Sequence, residues 1–134
     1  MHMDALQHIC QSLLNNAVLR LNLDGQTGVV VLYFTSIGSL AQVQFECSEV
    51  HRFKMVKAPD EADDLFVGEV RVTQYSAHID VERLMQSEGW KWGSDYQLPD
   101  LLFHIEIQGG VEIDILCCQF QWQLREKQGF SGTV

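Results

Sequence analysis

Apolar runs are short throughout the chain, and none approaches the roughly 20 residues needed to cross a bilayer as a helix. The start, Met1-His2-Met3-Asp4, lacks the basic and then apolar regions of a signal peptide. Cationic residues are scarce: 9 Lys and Arg stand against 18 Asp and Glu, for a formal net charge of −9. A field of that sign repels phosphate backbones and anionic lipid heads, so nucleic acid and membrane surfaces are poor partners. The four cysteines, Cys10, Cys47, Cys117 and Cys118, never take C-x-x-C spacing. A bond between the adjacent Cys117 and Cys118 would need a strained ring. Buried free thiols in a cytoplasmic, bacterial-type protein are the expectation. Missing too are a G-x-S-x-G elbow and any glycine-rich phosphate loop. Covalent catalysis and nucleotide binding therefore have no motif to stand on, and no cofactor is expected.

What is present fits one globular domain of 134 residues, 46% of them hydrophobic. Ala5, Leu6, Ile9, Cys10, Leu13 and Leu14 make a helical stripe, which predicts a helix over residues 4–16 that docks on a sheet. The body, residues 17–124, changes to the period of two that marks strands. Leu19, Leu21 and Leu23 share one face, and Asp24-Gly25-Gln26-Thr27-Gly28 is a turn cluster. The unbroken run Val29 to Phe34 predicts a strand covered on both faces. Val43, Phe45 and Cys47 alternate with polar neighbours, and Val50 to Val56 predicts a further strand after a break near Ser48-Glu49. Phe66, Val70 and Val72 open another. A short helix is predicted over 80–88, with Asp80 as its N-cap and Gly89 as its terminator.

Two alternating runs, Phe103-Ile105-Ile107 and Val111-Ile113-Ile115-Cys117, flank Gly109-Gly110. That pattern predicts a hairpin with a two-residue primed turn. The apolar parity then slips to Phe120, Trp122 and Leu124, which predicts a bulge at Cys117-Cys118. Residues 125–134 read as a frayed tail. The expected fold is α+β: a curved, largely antiparallel sheet of six or seven strands, with the N-terminal helix packed on it and one short internal helix.

Several residue groups could carry function. Trp90, Trp92 and Tyr96 form the most unusual local composition. Two tryptophans two apart in an extended segment point the same way and can serve as a stacking platform or a hot spot for a protein partner, although packing at the open end of the sheet explains them as well. Asp60, Glu61, Asp63 and Asp64 make an acidic loop without the spacing that wraps a calcium ion; it reads as a solvated loop and is the patch nominated for a basic protein partner. His78, Asp80 and His104 match the skeleton of a two-histidine, one-carboxylate metal site. Against it, Asp80 suits a helix cap, and His104 falls on the expected exposed face of its strand. Glu106, Glu112 and Asp114 line the polar face of the hairpin, where Glu106 and Glu112 could approach across the turn as a carboxylate pair. A solvent-facing row is the plainer account of them.

The strand rhythm, from the apolar strand Val29-Val30-Val31-Leu32-Tyr33-Phe34 and the Ile37-Gly38 break to Phe103-His104-Ile105-Glu106-Ile107, resembles that of small uncharacterised bacterial proteins of the immunity-protein type. The resemblance spans residues 17 to 124 and involves no diagnostic motif. It implies a non-catalytic protein-binding role. The alternatives are a small-ligand or metal-dependent enzyme using His78, Asp80 and His104 or the Trp90–Trp92 segment, and a homodimer joined through a sheet edge.

Overall fold

In a computed structural model the described residues are 3–39, 41–57, 65–76, 78–87, 89 and 99–125. Six antiparallel strands close into a barrel: β1 (Ala17–Asp24), β2 (Val29–Ser36), β3 (Gln42–Lys57), β4 (Leu65–Tyr75), β5 (Leu102–Gly109) and β6 (Val111–Arg125), in the spatial order β1-β2-β3-β6-β5-β4. Two helices accompany them, α1 (Met3–Ser12) and α2 (His78–Ser87). The antiparallel sheet accompanied by helices is as expected, and closure is what curvature becomes when the last edge pairs.

Alternation drives the closure. Val30, Leu32, Phe34, Val43, Phe45, Ile105, Ile107, Ile113 and Ile115 all turn inward and are buried. A barrel this narrow is filled by its own side chains. The aromatic rings span the lumen in contact: Phe34 to Phe45 at 4.9 Å, Phe45 to Phe120 at 5.0 Å and Phe120 to Phe103 at 5.6 Å between centroids. The Val29–Phe34 run differs from its expectation. Val30, Leu32 and Phe34 face the core, but Tyr33 on the outer face is 42% exposed. Wrapping the sheet into a tube leaves this strand only one dry side.

The long strands bend to follow the tube. Val50 to Val56 is no separate strand but the second half of β3. The break near Ser48-Glu49 shows as a left-handed backbone at Glu49, φ 51°. Ser48 pairs with Gln119 and Val50 with Cys117, so the parity slip on β6 is matched by an equal slip on β3. The register shift lies on β3, between Val50 and Arg52, and not at Cys117-Cys118. The parity slip lies on β6 as expected, but it involves no extra residue there, and the bulge of this pair is a separate feature of β3.

The hairpin of β5 and β6 also corrects its turn. Ile107 pairs with Ile113, whereas a two-residue Gly109-Gly110 turn would pair residues whose sum is odd. Gly109 is needed for closeness instead. A Cβ there would stand 2.6 Å from the Phe66 carbonyl oxygen and 2.8 Å from the Gly68 nitrogen, both backbone atoms of β4.

Helix α1 stops at Ser12, earlier than residue 16, where the chain turns into β1. Leu6, Ile9 and Cys10 join the barrel core, as does Leu14 just past the helix. Its place is beside β4, because β1 meets β4 only through Ala17, Val18 and Leu19. Helix α2 begins at His78, so Asp80 sits in its first turn and is not the cap. Gly89 ends it as expected, with φ 79° and its N–H donated to the Gln86 carbonyl at 3.0 Å. Val81 and Met85 pack on Leu102 and Leu116 of the outer wall, forming a second small core. No helix among the described residues is long and apolar enough to cross a membrane.

Candidate functional site

On the outer face of β3, β6, β5 and β4, cross-strand pairing sets charged residues in rows. One row runs Lys54, Asp114, Glu106, Arg71; the next runs Arg52, Leu116, His104, Thr73. Glu106 and Asp114 are thus direct neighbours, a like-charge pair that costs energy unless compensated. Compensation comes from the adjoining row. Arg52 Nη2 donates to Asp114 Oδ1 at 2.6 Å, and His104 Nε2 lies 3.0 Å from Asp114 Oδ2. On the other side of the ring, His104 Nδ1 stands 3.8 Å from Glu106 Oε1.

Burial works against a charged Asp114, but the hydrogen bonds from Arg52 and His104, with their charge, outweigh it and hold the carboxyl below its ordinary value. An ionised carboxylate only accepts, so Nε2 is the donor. Expected on the exposed face of its strand, His104 is only 6% exposed. The face assignment was right, since His104 does point outward. Nearby Leu102 and Leu116 lie beneath α2, and Arg52 and Asp114 close over the rest. Glu106 faces Asp114 and not Glu112, a consequence of the even-sum register. Beside them Lys54, Val56, Gln108 and Glu112 border a shallow groove of about 230 Å³.

One ligand atom each from His104, Glu106 and Asp114 lies within 4.8 Å of the others, close enough to invite comparison with a metal site. The detail differs from one. Asp114 bonds one ring nitrogen and Glu106 approaches the opposite one, while a metal binds a single nitrogen along its lone pair. The Arg52 guanidinium already occupies Asp114. The cluster is a chain of contacts, Arg52–Asp114–His104–Glu106, in which both oxygens of Asp114 are already engaged. The sequence-derived metal set is not what gathers here. Asp80 is exposed on α2, outside the His104 group, and the side chain of His78 is outside the described residues.

Cys10, Cys117 and Cys118 hold no activated thiolate. Burial pushes Cys10 up to about 11. Cys117 is raised by its hydrogen bond with Cys47, then by burial and by the Cys47 and Cys118 charges. Cys118 shares a 3.0 Å contact with His51 Nε2, yet burial and then the Glu49 charge raise it. A raised thiol is a poor nucleophile.

Sequence reasoning missed Arg52 and the linking role of Asp114. Parity carried the signal for Asp114, because same-facing alternation on both arms of the hairpin demands an even register sum. Nothing local marked Arg52, whose partner lies 62 residues away. Trp90, Trp92, Tyr96, Asp60, Glu61, Asp63 and Asp64 lie outside the described residues.

No protein-family model matches the chain, and no curated protein matches it. Among solved structures the chain is similar to an uncharacterized protein from Neisseria gonorrhoeae, at 15% identity over 81% of this chain and 90% of that one, with a TM-score of 0.51. At that identity the likeness shows the fold alone.

Proposed function

We propose that the chain is a non-catalytic protein-binding module, immunity-like, acting in the bacterial cytoplasm through acidic and aromatic surface. The filled lumen carries this reading: Phe34, Phe45, Phe103 and Phe120 occupy the space where a barrel of wider bore would hold a small ligand. Chemistry is thereby left to the outer face. There Asp114 is already engaged by Arg52 and His104, while in the core the thiols of Cys10 and Cys117 are raised, as is that of half-buried Cys118. The net charge of −9 favours a basic partner, and Asp60, Glu61, Asp63 and Asp64 are the acidic patch that would steer it. Trp90, Trp92 and Tyr96 would supply the anchor of the interface.

Affinity capture from the native host tests the reading. The expected result is a stoichiometric partner whose association slows as salt rises, and slows likewise when Asp60, Glu61, Asp63 and Asp64 are replaced by their amides. Recovery of no stoichiometric partner, with a thermal shift from a metabolite panel, contradicts it.

A further inference from the structure

We infer that the free edge of β4, from Gly68 to Gln74, takes an extended, uncharged peptide segment of a partner protein, added as a further strand in the groove between β4 and α1. The inference rests on the protein-binding reading and gives that reading a place on the molecule. β4 is paired along its length with β5, but β1 reaches it only at Leu65, Phe66 and Val67. Beyond that point alternate N–H and C=O groups of β4 point away from β5. Among the described residues no protein group bonds to the backbone on that side. Every other strand-to-strand seam of the barrel is paired over at least five positions.

Natural proteins blunt such edges with proline, charged side chains, a bulge or a covering element; here the bulge between Val67 and Glu69 lies at the start of the free stretch, and its two charges, Glu69 and Arg71, are paired with each other. The sequence Gly68-Glu69-Val70-Arg71-Val72-Thr73-Gln74 has neither proline nor lysine and is rich in β-branched residues. Helix α1 packs against β4 through Leu6, Ile9 and Cys10 and, beside that contact, presents Met3, Gln7 and Gln11 along a groove of about 840 Å³. An edge strand with a helix parallel to the gap is a recurring seat for an added strand: main-chain hydrogen bonds supply affinity, and side chains on the helix supply selectivity.

The charge of the groove defines the occupant. Glu69 and Arg71 hold each other at 2.9 Å, and the other polar lining residues, Gln7, Gln11, Asn15, Thr73 and Gln74, are neutral. A charged side chain on the incoming strand would find no free counter-charge there, so the paired residues are uncharged. The net charge of −9 outside the groove disfavours acidic flanks.

Selection of random heptapeptides on the full chain, followed by synthesis of the best binder with blocked termini, tests the inference. Nuclear magnetic resonance shifts are expected at Gly68 to Gln74 and at Gln7 and Gln11. A copy N-methylated at alternate amides loses the ladder and should bind at least ~10-fold more weakly. Gln11→Trp, at an exposed helix position, fills the groove and should weaken binding by a similar factor while leaving the unfolding midpoint unchanged. A binder that shifts a different surface, or that tolerates N-methylation, overturns the edge assignment and leaves the module reading standing. A dimer whose contacts map to β4 overturns the assignment to a foreign peptide. A library that yields no binder against a monomeric chain overturns the edge assignment, while the capture experiment decides the module reading separately.

Discussion

Replacing Arg52 by methionine keeps the aliphatic stem and removes the guanidinium, which isolates one interaction of the outer-wall cluster. The side chain of Arg52 is 17% exposed and that of Asp114 is 31% exposed, so the pair is partly shielded from water. A hydrogen bond to a charged group contributes about 1.5–3 kcal/mol. Asp114 keeps its bond from His104 but regains the uncompensated neighbour Glu106. The expected loss is therefore about 2 kcal/mol at pH 7. The pH dependence has a definite sign. The folded carboxyl of Asp114 titrates below its unfolded value, so its contribution is present in full above about pH 4. It disappears as pH falls through the lowered folded value. Urea unfolding of both proteins, followed by tryptophan fluorescence from pH 7 down to pH 3, measures the gap. It should hold level down to about pH 4 and narrow only below that. A gap under ~0.5 kcal/mol at pH 7, within the range of an ordinary surface substitution, would refute the reasoning. So would a gap that does not change with pH.

Three further outcomes are expected. In Arg52→Met, Asp114 keeps its bond from His104 and Glu106 still faces the other ring nitrogen, so cobalt(II) titration should show no binding at His104 in either protein; binding there by the native chain contradicts the reading of the cluster. Gly109→Ala drives a Cβ into the backbone of β4 and should destabilise by about 1–3 kcal/mol, read as a lowered urea midpoint; a neutral result would show that the seam between β4 and β5 yields. In native protein at pH 8 a maleimide should label Cys118 slowly and leave Cys10, Cys47 and Cys117 intact until denaturant is added, with mass spectrometry of peptides as the readout.

Much of the fold was legible because alternation is a local signal. Phe103, Ile105, Ile107 and Val111, Ile113, Ile115 marked both arms of the last hairpin and their inward face. The turn between them was misjudged because a glycine pair was taken as conformational need, while Gly109 answers to a strand from elsewhere in the chain. Closure into a barrel was not legible: it depends on β1 meeting β4, a contact that leaves no periodicity of its own. The one-sided burial of β2 follows from closure and was lost with it. For the site, the polar face carrying His104, Glu106 and Asp114 was visible. The burial of His104 was not, because its flanking neighbour Leu116 is covered by α2 and its partner Asp114 is held by Arg52, both remote in sequence. The parity slip on β6 was visible, but that it is matched residue for residue on β3, with the bulge further along β3, only the pairing reveals.

The central claim is that the lumen is filled and that binding is done by the outside of the barrel. Methyl-resolved nuclear magnetic resonance tests it most directly, with Leu32, Ile105 and Ile115 as inward reporters, each 0% or near 0% exposed. The captured partner and a panel of small metabolites are titrated in turn. The account predicts that the partner shifts outward-facing residues, and that no small molecule gives intermolecular contacts to the three inward methyl groups. A small molecule in contact with Ile105 and Ile115 would place a ligand inside the barrel and contradict the account.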